Sequence, residues 1–82
     1  MVVVHRAHGF RFVIYTLDQE PAHVHITGAG QAKINLLGTD GMPEIVFSIG
    51  IKQADMRRLM VEVIARRGNF LQEWERIHGR ID

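Results

Sequence analysis

The 82-residue chain has no cysteine, which excludes disulfides, thiolate metal ligands and a thiol nucleophile. Proline is scarce, with only Pro21 and Pro43 in the chain. Neither sign of charge dominates. The formal net charge of +1 gives no global pull toward nucleic acid. Apolar runs are short, and no window approaches the roughly 20 residues of a membrane span. The opening Met1-Val2-Val3-Val4-His5-Arg6 lacks a basic leader and a long apolar run. No segment repeats, none is of low complexity, and no cofactor is implied. The expectation is a soluble, cytoplasmic protein.

What is present is apolar. Hydrophobic residues make up 46% of the chain, enough for one globular domain over residues 1–82. A domain of this size buries only about 60–65% of its unfolded surface, so its core alone stabilises it marginally. Small domains without staples gain stability by oligomerising, and a homodimer is one expectation.

The most informative stretch is Pro21-Ala22-His23-Val24-His25-Ile26. In a strand, alternate side chains point to opposite faces, so Ala22, Val24 and Ile26 share one face and His23, His25 and Thr27 the other. Gly28-Ala29-Gly30 suits a hairpin loop, and Gln31-Ala32-Lys33-Ile34-Asn35-Leu36 alternates after it. With those three residues as the loop, Thr27 faces Gln31, His25 faces Lys33 and His23 faces Asn35. Ile26 then meets Ala32, Val24 meets Ile34, and Ala22 meets Leu36. A one-residue slip would put apolar side chains on the polar face, which fixes the parity.

The remaining elements follow from period and punctuation. Val2-Val3-Val4 is β-branched and reads as a first strand, before a turn over Arg6 to Gly9. Phe10 to Thr16 is the strongest strand signal, with Phe10, Phe12 and Ile14 directed to the core and Arg11, Val13 and Tyr15 away. Leu17 to Glu20 is an acidic loop, Gly38 to Pro43 a turn-rich one, and Glu44 to Ile49 a further strand ended by Gly50. Met56, Leu59, Met60, Val63 and Ile64 then recur at helical spacing, predicting a helix from about Gln53 to Arg67. Gly68 reads as its end, and Asn69 as the cap of a second helix carrying Phe70, Leu71, Trp74 and Ile77. Strands first and helices last predict an α+β fold. The sheet is antiparallel, of four to five strands, with two C-terminal helices packed on one face. The expected core is Phe10, Phe12, Ile14, Val24, Ile26, Ile34, Leu36 and Phe47 under Met56, Leu59, Met60, Val63 and Trp74. His23, His25 and Lys33 are expected to share the open face.

The same residues carry a family likeness. Glu20 to Ile26, followed by Gln31-Ala32-Lys33-Ile34, resembles the P-x-H-V-H signature of the bacterial domain-of-unknown-function family 4160. Gly9-Phe10-Arg11-Phe12, the Gly50-to-Leu59 helix start and Trp74 fit it too, so the resemblance spans nearly the whole chain. Lys52 replaces the usual serine or threonine helix cap, Ala22 the second proline, the Gly38-to-Pro43 loop is longer than usual, and Gly68-Asn69 interrupts a helix that is often continuous. The resemblance implies a small protein encoded alongside a second short protein, and some members are classed as toxin–antitoxin components.

Several chemistries are open to these residues. The first is a protein-binding module that meets a small partner through the polar face or a sheet edge, with His23 and His25 as solvated strand residues. The second is a metal-independent phosphodiester enzyme acting on RNA. His23 and His25 would be acid and base, Lys33 would stabilise developing negative charge, and Arg11, Tyr15, Thr27 and Asn35 would contact substrate. A third is metal binding by His23 and His25, with His5, His8, Asp18 or Glu20 as third ligand. Against it, Lys33 stands nearby and spacing fixes no carboxylate in place. Nucleic-acid binding without catalysis is a fourth reading, against which Arg57, Arg58, Arg66 and Arg67 spread around the helix rather than forming a stripe. His5 and His8 read as surface residues, and His78 as a favourable charge at a helix end.

Overall fold

The computed structural model describes residues 1–79. Five strands come first, β1 (Val2–Ala7), β2 (Phe10–Ile14), β3 (His23–Thr27), β4 (Gln31–Asn35) and β5 (Glu44–Ile49), and one helix follows, α1 (Gln53–His78). The strands form a single sheet in the order β1-β2-β3-β4-β5, each antiparallel to its neighbours. The fold is α+β, and every strand pairs with the next in sequence, through short turns after β1 and β3 and longer loops over 15–22 and 36–43. No helix among the described residues is long and apolar enough to cross a membrane.

The hairpin register follows the alternation of the sequence. Thr27 pairs with Gln31, Ile26 with Ala32, His25 with Lys33, Val24 with Ile34 and His23 with Asn35. The Leu36 N–H donates to the Ala22 carbonyl at 3.0 Å and extends the pairing by one step. Phe10, Phe12, Ile14, Ala22, Val24, Ile26, Ala32, Ile34 and Leu36 form the buried sheet face, and Met56, Leu59, Val63, Phe70 and Trp74 of α1 close over it. Each large apolar side chain among them contributes about 1.5–3 kcal/mol by leaving water, and Ala22 and Ala32 less.

Three expectations need correction. First, the helix is single and 26 residues long, passing through Gly68 and Asn69 without a break. Phe70 and Trp74 continue the stripe of Met56, Leu59 and Val63 on one face, and their burial outweighs the roughly 1 kcal/mol that a helical glycine costs relative to alanine. A Cβ on Gly68 would meet nothing within 4 Å. Gly68→Ala is therefore expected to stabilise the protein by about 1 kcal/mol, read as a higher urea midpoint at unchanged slope.

Second, Phe47 is not core. It is 38% exposed, as every residue of β5 is largely exposed. Lys33 pairs with Phe47 and Ile34 with Ile45, so Val46 is an extra residue, a bulge. The bulge shifts parity along β5 and leaves Phe47 on the face away from the helix, while Ile45 faces α1. Met60, also expected in the core, is only partly buried at its margin.

Third, the face away from the helix is not wholly polar. Val13, which points there, is fully buried between Val3 of β1 and His25 of β3. His5 lies on the helix side, half-buried, with Nε2 2.8 Å from Glu62 Oε1 and its ring 5.2 Å from Phe12. That hydrogen bond holds the Glu62 carboxyl below its ordinary range. His8 stays exposed, in the β1–β2 turn at φ 55°.

Candidate functional site

The β2–β3 connection builds the site. After Ile14 the chain turns back on itself: the Asp18 N–H donates to the Tyr15 carbonyl at 3.0 Å, and the Tyr15 N–H to Asp18 Oδ2 at 3.0 Å. This reciprocal pair swings the Asp18 carboxylate over the start of β3. Oδ2 lies 3.3 Å from His23 Nε2, and Oδ1 lies 3.5 Å from His25 Nε2. The two imidazole centroids are 5.0 Å apart, and the Tyr15 ring meets His25 edge-on at 4.9 Å.

His23 departs from expectation. It is only 3% exposed, and its ring rests 5.1 Å from Trp74 of the helix. The reason is the length of α1, whose last turns reach the end of the sheet where β2 stops and β3 begins. His78, expected only as a terminal charge, stacks on Trp74 at 4.0 Å with Nε2 3.2 Å from the Tyr15 carbonyl. His23 Nδ1 sits 2.8 Å from the Pro21 carbonyl. A carbonyl only accepts, so Nδ1 carries the proton and donates.

His25 is half-buried. Burial lowers its pKa below the ordinary 6.5, the Asp18 carboxylate pulls it upward, and His23 and then Lys33 push it down. The net result favours the neutral imidazole, a ligand or a base rather than a cation.

The other sequence candidates scatter. Lys33 is half-buried and pairs with His25 across the strands as expected. Arg11 is exposed and pairs with Thr27, two residues further along the sheet than the Val13–His25 pair. Thr27 Oγ1 and Asn35 Oδ1 are buried without a hydrogen-bond partner among the described residues. Glu20 is exposed at the outer edge of the loop. With His23 enclosed, His25 and Lys33 are the two of the three expected catalytic groups that a substrate could touch, and of the expected contact residues Tyr15, against His25, and Arg11 are exposed. Spacing did not single out Asp18; the signal was its place in a short loop ending at Pro21.

A second feature lies on the far side of the sheet. Ile45, Gln53, Met56, Arg57, Met60, Val61 and Ile64 line a groove of about 370 Å³ between β5 and α1. Ile45, Val46, Phe47 and Ile49 on the strand, and Val61 and Ile64 on the helix, are exposed. Isolated exposed apolar residues are ordinary, but Ile45 on the edge strand with Val61 and Ile64 on the adjoining helix line one groove and mark an interaction surface, while Phe47 lies on the opposite face. Sequence periodicity placed Ile64 in the core stripe and could not show that the helix leaves this side open.

The family described as Domain of unknown function (DUF4160) matches residues 9–75. The chain belongs to that family. The DUF4160 segment spans β2 to β5 and α1 as far as Glu75, so it contains Asp18, His23, His25, Lys33, Trp74 and the whole groove. It omits β1 with His5, and His78. No curated protein and no solved structure matches the chain.

Proposed function

We propose that this protein is the protein-binding component of a toxin–antitoxin-like pair and that it seats an apolar, acidic-flanked segment of its partner in the groove between β5 and α1. The observation that carries the reading is the apolar groove lined by Ile45 of β5 with Val61 and Ile64 of α1, where β5 has no neighbour on its outer side among the described residues. The charge around it selects the partner. Arg57 lines the groove, Lys52 precedes its first lining residue on α1, and Arg67 follows Ile64 by one turn. Among the described residues the lining holds no carboxylate. A second copy of this chain would bring its own Arg57 to the same groove, whereas a partner carrying Asp or Glu beside its apolar residues would neutralise that charge. The pairing with a protein encoded alongside rests on the family likeness.

The test is co-expression with the neighbouring small protein, followed by size-exclusion chromatography with light scattering. An equimolar complex is expected, and Val61→Asp should weaken it at least about tenfold, since a charge in an apolar contact costs more than 1.4 kcal/mol. Val61 is 62% exposed, so the substitution leaves the fold intact. A complex indifferent to Val61→Asp and Ile45→Asp overturns the reading. So does a parent protein that dimerises through this face, which would make it an interface between copies.

A further inference from the structure

We propose that Asp18, His23 and His25 form a binding site for a divalent transition cation, zinc foremost, with one coordination position left open.

The geometry is the first support. One ligand atom from each of the three residues lies within 4.8 Å of the others. Zinc holds imidazole nitrogen and carboxylate oxygen at about 2.0–2.2 Å, which makes the edge of its tetrahedron about 3.3–3.5 Å. The separations of 3.3 Å from Asp18 Oδ2 to His23 Nε2 and 3.5 Å from Asp18 Oδ1 to His25 Nε2 are of that length, each to a different oxygen of the carboxylate.

The second support is independent of distance. His23 Nδ1–H is committed to the Pro21 carbonyl, so Nε2 is the nitrogen that faces the Asp18 carboxylate, 3.3 Å away in a ring only 3% exposed. A carboxylate held against that nitrogen needs a positive group between the two, a proton or a metal ion. Histidine ligands commonly donate their other N–H to a backbone carbonyl, which fixes the tautomer and aims the free nitrogen at the metal. His23 has that arrangement. The Tyr15 N–H does the same for the carboxylate by donating to Asp18 Oδ2 at 3.0 Å.

The donor set selects the ion. Two imidazoles and one carboxylate suit zinc, nickel, copper or ferrous iron, whereas magnesium and calcium take oxygen cages. Three protein ligands leave a fourth position, as in catalytic rather than structural zinc sites. It opens on the solvent side, where the His25 and Asp18 side chains keep 23% and 16% of their exposure. Lys33 opposes a cation, but at His25 the field of Asp18 is the larger of the two.

The experiment uses the full chain without an affinity tag, stripped by chelator and titrated with zinc chloride in a calorimeter. One zinc per chain is expected. Asp18→Asn and His25→Ala should each weaken binding about tenfold or more, and His8→Ala, at an exposed turn, should leave it unchanged. Zinc should also raise the melting temperature of the parent but not of Asp18→Asn. Nitrogen NMR of the parent, which needs no variant, should show His23 Nε2 losing its free-imidazole signal on zinc addition. Binding that follows His8, or is equal in parent and variants, is adventitious and overturns the proposal. A proton on His23 Nε2 at saturating zinc overturns it as well.

Discussion

Trp74→Ala is expected to remove about 3–5 kcal/mol of stability, the range for truncating a large aromatic in a packed core. Trp74 is fully buried and is the only tryptophan in the chain. It stands where three parts of the fold meet: α1, the start of β3 through His23 at 5.1 Å, and the helix end through His78 at 4.0 Å. Small domains have about 5–15 kcal/mol in total, so the variant should lie close to its unfolding midpoint at modest urea. Far-UV circular dichroism is the right probe, because the substitution removes the intrinsic fluorophore. His78→Ala deletes the lid over the indole and the contact with the Tyr15 carbonyl, both at a half-buried helix end, and should cost far less. A Trp74→Ala loss below about 1 kcal/mol would mean that the last turns of α1 are not packed on the sheet.

Gly30→Ala should be the most damaging change of a single methyl group. A Cβ at Gly30 would stand 2.5 Å from the Gly50 carbonyl carbon and oxygen and from the Ile49 carbonyl oxygen. These are backbone atoms, so no rotamer change relieves the clash. The β3–β4 loop must move away from the end of β5. Overpacking of this kind costs about 1–3 kcal/mol, and a backbone obstacle puts Gly30→Ala at the upper end. Gly50→Ala is the informative comparison. Its Cβ would meet nothing nearer than 3.5 Å, but its φ of +71° strains any L side chain. Denaturant titration should rank Gly30→Ala as the worse of the two. The reverse order would show that the loop yields easily and that the conformation at Gly50 matters more.

Much of this was legible in the residues, and the limits have physical causes. The β3–β4 pairing could be read because apolar and polar side chains alternate on both strands and only one parity buries the apolar set. The strand run of Phe10, Phe12 and Ile14 was equally plain. The bulge at Val46 was not, since it inserts one residue into an apolar strand where either parity looks acceptable, and Phe47 was misplaced for that reason. Gly68-Asn69 carries true stop and cap signals, but local signals lost to the burial of Phe70 and Trp74. In the site, the shared face of His25 and Lys33 was visible from period alone. The enclosure of His23 and the arrival of Asp18 were not, because both depend on how far α1 extends and how the 15–22 loop folds back.

The order of elements along the chain has a consequence for synthesis. Five strands precede the helix, and each can add to the one before it as soon as it emerges. The greasy side of that growing sheet has no cover until Phe70 and Trp74 have left the ribosome. Nascent chains stalled before that point would carry sticky surface on a pre-assembled ribbon, the condition under which intermediates associate wrongly. The outer side of β5 adds a free border to the same ribbon among the described residues, and that strand stays exposed after the helix has arrived.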